Sequence, residues 1–369
     1  MRSFFFKITV ALLTFSIGTI IAINLYLETE IEKPSIEIQI ADKITRFPVN
    51  QIDDVCNLFS IEKDGKYGFI NKAGEVVVTP KFKNSWDCSD GLATVELGDN
   101  EKAFINNNGE IVFSTRLEYI NQFYEGLAVF FDNGSKYGFL DKTGEIAIKP
   151  QFDNASSFSD GLAAVGEYLG EDNQGFRHWK YGFIDKTGKF VIDYQFKQVR
   201  DFSEGLAPVV DNEKWGFIDK TGKIVIKGQF DEERGGFSNG LALVQIDNKW
   251  GYIDKTGQMI IPAKYEDAWG FSEGLAKVLD DENGWHFINT KGEIAIHQNF
   301  SMVGNFSEGL AAADFASNSS YIDKTGEIAI QHQFKNTFDF KNGIASVMFS
   351  DEAYGYIDKT GKVIWKPTK

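Results

Sequence analysis

Short apolar runs alternate with polar, glycine-ended turns along most of this chain, and the alternation is periodic. The run Lys214-Trp215-Gly216-Phe217-Ile218 leads into the turn Asp219-Lys220-Thr221-Gly222 and then into Lys223-Ile224-Val225-Ile226. Two β-branched and aromatic runs around such a turn predict a β-hairpin. The turn recurs nine times, with glycine at Gly74, Gly109, Gly144, Gly188, Gly222, Gly257, Gly292, Gly326 and Gly361 and with Asp or Asn always in first position. An Asp or Asn side chain there bonds its own turn backbone, and the closing glycine suits a positive φ. A G-L-A phrase, opened by Gly91, Gly126, Gly161, Gly205, Gly240, Gly274, Gly309 and Gly343, predicts a third strand per unit, such as Leu206-Ala207-Pro208-Val209-Val210. Both series step by 34 or 35 residues, apart from one step of 44.

A fixed period of this length predicts a repeat array, in which each unit buries its apolar face against its neighbours. Core anchors occupy constant slots. One holds Phe82, Tyr119, Phe152, Phe196, Phe230, Tyr265, Phe300 and Phe334; a later one holds Phe123, Phe158, Phe202, Phe237, Phe271, Phe306 and Phe340, with Cys88 as its one departure. No segment after residue 28 keeps a helical period. The expected fold is all-β, about nine three-strand meander units over residues 56–369. An open, twisted solenoid is favoured over a closed, propeller-like ring for two reasons. The array starts at Asn57-Leu58-Phe59 and ends after a hairpin, so no unit is split between its ends. Nine units also exceeds the usual count of about 4–8 blades.

The first 27 residues differ. Arg2 and Lys7 precede an apolar run from Ile8 to Leu27, long enough as a helix to span about 30 Å of bilayer. No small-x-small exit follows it, and Glu28, Glu30 and Glu32 lie beyond. The reading for 1–27 is an uncleaved signal-anchor with its N-terminus in the cytoplasm; a cleaved signal peptide is the alternative. Either puts the array outside the cytoplasm. Residues 28–55, with Ile36, Ile38 and Ile40 alternating, read as a linker or a capping strand.

The Tyr67-Gly68, Trp215-Gly216 and Trp250-Gly251 pairs, with the D-K-T-G and F-S-E-G-L-A phrases, resemble the bacterial WG (KWG) β-repeat family over about residues 57–366. The pair is broken at Lys102-Ala103, Trp285-His286 and Ser319-Ser320. The resemblance implies β-repeats in bacterial, often exported proteins and supplies no catalytic residue.

Composition and charge narrow the chemistry. The net charge of −15 argues against a nucleic-acid partner. Ser60-Ile61-Glu62-Lys63 with K-T-G mimics a penicillin-recognising serine enzyme, but K-T-G occurs six times as a turn and Ser60 falls in a strand. His178, His286, His297 and His332 show no metal-ligand spacing. No catalytic, cofactor or metal residue is assigned. The two cysteines, Cys56 and Cys88, read either as a disulfide pinning the first unit or as independent buried thiols. The 44-residue step inserts a candidate binding loop carrying Tyr168, Phe176, Arg177, His178 and Trp179. The expected function is a non-enzymatic scaffold at the cell envelope, anchored in the inner membrane, that binds a protein or other cell-surface macromolecule. A secreted or periplasmic form is the alternative location. A carbohydrate or cell-wall-binding module using Trp179 or Trp269 is the alternative function.

Overall fold

The structure, a computed structural model, describes residues 40–49, 51–132, 136–298, 300, 302–315, 318–350 and 353–366. The expected membrane segment, 1–27, lies outside the described residues. Among those described, no helix is long and apolar enough to cross a membrane.

Nine antiparallel sheets follow one another in chain order. The sixth shows the plan: Glu232–Ser238, Leu241–Ile246, Lys249–Asp254 and Met259–Tyr265 pair in sequence as a four-strand meander. Six sheets have four strands, the first and fifth have three, and the second gains a fifth strand, Ile44–Arg46, paired with Ile111–Thr115. The unit is therefore larger than the three strands expected. Its first strand escapes pattern reading because it is often two residues long, as at Asn84–Ser85, Asn154–Ala155 and Asp267–Ala268.

The turn chemistry follows the sequence. Asp219 Oδ1 accepts hydrogen bonds from Thr221 N at 2.9 Å, Thr221 Oγ1 at 2.6 Å and Lys223 N at 3.2 Å. The Thr221 hydroxyl and these amides hold the Asp219 carboxyl below the usual carboxylate range. Mid-strand Gly216 has a different reason: a Cβ there would collide with the Ile226 carbonyl and lie 2.7 Å from Gly228 N. The strand Ile224–Phe230 thus lies directly over the glycine of the Trp-Gly pair.

Each sheet packs on the next through the Phe slot. The third-strand aromatic of one sheet meets the slot Phe of its successor: Phe139–Phe158 at 5.0 Å, Phe183–Phe202 at 4.8 Å, Phe217–Phe237 at 5.0 Å, Tyr252–Phe271 at 4.9 Å and Tyr321–Phe340 at 4.9 Å. These are edge-to-face or tilted contacts between buried rings.

The series closes on itself. Tyr252 Oη donates to Trp269 O and Tyr321 Oη to Phe338 O, each at 2.7 Å, linking one sheet to the next. Tyr356 in the last sheet bonds the first in turn, its hydroxyl donating to Ser60 O at 2.7 Å. Its ring also lies 5.8 Å from Phe59. Lys341 Nζ and Asn342 Nδ2 donate to Cys88 O and Cys56 O at 3.3 and 3.0 Å. The turn glycine Gly74 (φ 82°) sits against Ile364, as Gly222 sits against Ile192. The fold is therefore a nine-bladed β-propeller, not the open solenoid favoured by the sequence. The physical reason is plain. Closure needs no strand shared between the ends, because the last blade presents the same face to the first that every blade presents to its successor.

Cys56 and Cys88 are bonded, with Cα atoms 5.6 Å apart, and fasten the first blade to the second. Both are buried in the cluster that includes Phe69, Val78 and Phe82, with Cys88 in the Phe slot. With 32 residues separating them, chain-entropy arguments put the bridge at about 3–4 kcal/mol. Dithiothreitol is expected to lower the unfolding free energy by about 2–4 kcal/mol in urea melts; identical melts with and without it would show that no such restraint operates.

Candidate functional site

Most recurring carboxylates are used to hold the ring. The residue before each G-L-A glycine reaches the amide of the next such glycine: Asp90 to Gly126 at 2.7 Å, Asp160 to Gly205 at 2.6 Å and Glu273 to Gly309 at 2.9 Å. A turn lysine of the following blade joins it, as in Lys220–Asp160 at 2.7 Å and Lys324–Glu273 at 3.1 Å. Burial works upward on Asp160, but Lys220 and the Gly205 amide outweigh it and hold the carboxyl below its ordinary range. Among the described residues no group of three or more His, Cys, Asp or Glu side chains could hold a metal ion.

A partly exposed ladder of aromatic rings and cations runs across blades four to seven. It starts at the inserted segment, which forms paired strands instead of a loose loop. Ala163–Glu171 pairs with Arg177–Ile184, placing Tyr168 opposite Trp179 and Glu171 opposite Arg177. The Tyr168 and Trp179 rings lie 5.2 Å apart, and Trp179 stacks on Tyr181 at 6.2 Å. Phe176 is 64% exposed at the tip. Arg177 Nε meets Glu171 at 3.1 Å, and His178 Nε2 lies 3.4 Å from Asp172. The five expected residues therefore share one extended hairpin, but only Tyr168 and Trp179 join a common stack.

From blade four, Tyr181 faces blade five across a cavity of about 230 Å³ that it lines with Gln198, Val199, Arg200 and Trp215. The Arg200 guanidinium stands 4.8 Å over Trp215 and meets Glu232 at 3.1 Å. Arg234 stands 4.4 Å over Trp250 and 5.6 Å from Trp269, and bonds Asp267 at 2.9 Å. Lys277 Nζ lies 4.6 Å over Trp269 and donates to Val303 O at 2.7 Å. Burial pushes the Lys277 ammonium below its usual range, against the pull of Asp339 and Asp267. Trp215 and Trp250 are buried, while Trp269 is 40% exposed. Such cation–ring contacts contribute about 0.5–2 kcal/mol each and fix the side chains in place.

Glu233 lies beneath this ladder. The interval from Phe230 to Phe237 is one residue longer than that from Phe196 to Phe202. The extra residue is absorbed by a bulge between Arg234 and Phe237 that contains Gly235 (φ 86°) and Gly236 (φ 73°). Glu233 is fully buried; its Oε1 accepts the Gly236 amide, and its Oε2 lies 3.0 Å from Arg200 Nε without the alignment of a hydrogen bond. Burial pushes its pKa up to about 7, with the Gly236 amide and Arg200 pulling the other way.

Of this ladder, sequence reading singled out only Tyr168, Trp179 and Trp269 for binding, and named Trp215 and Trp250 as members of the Trp-Gly pairs. The signal for the rest was the run of Trp-containing pairs at Trp215, Trp250 and Trp285, together with Arg200 and Arg234, one repeat apart in the preceding strand.

Comparison with known proteins bears on the family. A search of curated proteins finds no match. Similar solved structures include a eukaryotic initiation factor, 9% identical, with 84% of this chain and 83% of that one covered at a TM-score of 0.45. BamB from Moraxella catarrhalis is 10% identical, with coverage of 87% and 96% and a TM-score of 0.39. Hsv2p from Kluyveromyces lactis is 9% identical, with coverage of 65% and 92% and a TM-score of 0.36. The model described as "WG containing repeat" matches residues 67–100, 103–135, 137–167, 181–215, 215–250, 250–283, 285–314 and 320–351. With repeats matched over more than half of its length, the chain belongs to the WG containing repeat family.

Proposed function

We propose that this protein is a non-catalytic scaffold that binds a partner protein through the ladder of blades four to seven. One observation carries the reading. Trp, Tyr and Arg side chains are gathered on one stretch of an otherwise carboxylate-rich ring, already held in place by neighbours. Aromatics and Arg are the residues enriched at protein interfaces and at their energetic hot spots. Pre-fixed side chains also lose less entropy on binding. The apolar run Ile8–Leu27 supports placing the scaffold at the outer face of a bacterial inner membrane, held by its N-terminus.

The test is site-specific photocrosslinking of the full chain in intact cells. A photoreactive residue at position 269 or 179 is expected to give discrete protein adducts, reduced at least five-fold by Arg234→Ala. The same residue at Val225, exposed on the strand Ile224–Phe230 of blade five, is expected to give none. Adducts to glycan instead of protein would favour the carbohydrate reading, which the exposed ring of Trp269 supports. Equal adducts at all three positions would defeat both.

A further inference from the structure

Among the described residues, the first blade has no first strand. Its sheet runs Phe59–Lys63, Lys66–Ile70 and Val76–Phe82, with Phe59–Lys63 at an edge. In the other blades that edge is covered. Trp269 N donates to Lys277 O at 3.1 Å, Gly304 N to Ala312 O at 2.8 Å and Phe338 N to Ser346 O at 3.2 Å. Even blade five, whose first strand is reduced to a bridge, has Arg200 N donating to Pro208 O at 2.9 Å. The corresponding carbonyl in blade one, Ser60 O, receives the Tyr356 hydroxyl instead.

The chain just before blade one is held elsewhere. Phe47 N bonds Val112 O at 2.8 Å, Asn106 Nδ2 bonds Gln51 O at 3.1 Å, and Val49 and Ile52 pack in the core of blades two and three. The place of the missing strand is a cavity of about 300 Å³ between blades nine and one. Leu58, Phe59, Phe338, Tyr354 and Tyr356 are among its lining residues, with Ser60 and Lys341 as polar groups. That volume is at the lower end of the ~300–1,000 Å³ typical of ligand pockets.

The rest of the ring states what such a position accepts. Everywhere else a third-strand aromatic meets the slot residue of the following first strand, a Phe in every case but Cys88. Tyr356 is the third-strand aromatic of blade nine; it is only partly buried, touches Phe59 edge-on at 5.8 Å, and among the described residues meets no slot residue of a first strand. A sheet edge with an open aromatic socket beside it is the arrangement used in β-strand addition, where backbone bonds give affinity and a side-chain pocket gives specificity.

We propose that the seam between blades nine and one is a docking groove for an extended segment of a partner protein. The segment adds a strand to the edge of Phe59–Lys63 and seats an aromatic residue against Tyr356. This groove is separate from the ladder on blades four to seven, and neither reading needs the other.

The probe is a fluorescent synthetic peptide copying residues 265–275 of this chain, the first strand and turn of blade seven. A control peptide carries alanine in place of Phe271. Added to the full-length protein, the probe is expected to bind saturably in the micromolar range, with the control at least ten-fold weaker. The amides of Ser60 and Glu62, at positions matching Lys277 and Leu279, are expected to gain protection from hydrogen exchange. Ser346→Trp, on the blade-nine wall of the cavity, is expected to abolish binding while circular dichroism stays unchanged. Tyr356→Phe, which keeps the ring, is expected to retain it. A folded protein that binds neither peptide overturns the proposal. So does protection of the same amides on raising the protein concentration without peptide, because the occupant is then a second copy.

Discussion

Truncating Phe340 to alanine is expected to destabilise the protein by about 3–5 kcal/mol, as much as Phe237→Ala in mid-array. Both side chains are 1% exposed and pack against the preceding blade, Phe340 tilted on Tyr321 and Phe237 edge-on to Phe217. Equality is the informative outcome. In an open array the last unit has one neighbour, frays readily, and yields little stability when a core residue is removed. In the ring the last blade is gripped on both sides, by blade eight and by the Tyr356–Ser60 bond to blade one. Urea denaturation of the two variants measures this directly. A cost for Phe340→Ala below about a third of that for Phe237→Ala would mean that the seam does not hold.

The second large effect is a pH dependence centred on Glu233. Its carboxyl titrates at about 7 in the folded protein, above the ordinary value of 4.5. A group whose pKa is raised on folding stabilises the fold fully below its unfolded pKa, and that contribution is lost as pH rises through the folded value. The window is therefore about pH 4.5 to 7.5, and the shift corresponds to an order of 3 kcal/mol. Turn and inter-blade carboxylates such as Asp219 and Asp160 titrate below this window and add no opposing slope within it. Native protein is expected to be less stable at pH 7.5 than at pH 4.5. Glu233→Gln, which keeps an acceptor for the Gly236 amide, is expected to remove most of that slope. Parallel pH profiles for the two proteins would show that Glu233 is not the source. At pH 7 the group is about half ionised, so the contact with Arg200, one rung of the ladder, changes across the physiological range.

The sequence carried the local part of this architecture well. Nine Asx-to-Gly turns and two aromatic slots describe hairpins and their packing, because those features depend on residues within one repeat or the next. Ring closure was not legible for the opposite reason. It rests on Tyr356 meeting Ser60, 296 residues earlier, and no periodicity reports whether a chain of equal steps returns to its start. The short first strands were missed because two paired residues leave no alternation to detect. At the candidate site the inserted aromatics were visible, while Arg200 and Arg234 looked like ordinary surface charges until their rings were placed beside them. Glu233 had a sequence trace in its lengthened interval and twin glycines, but burial is a property of the fold around it.

Closure without a shared strand has a consequence for how such a chain changes over generations. An open array tolerates gain or loss of one module, since every remaining contact keeps its geometry. In this ring a tenth or an eighth module would alter the angle at every junction at once and pull Gly74 away from Ile364. Module number is therefore locked, and variation is channelled into hairpin length, as blade four displays.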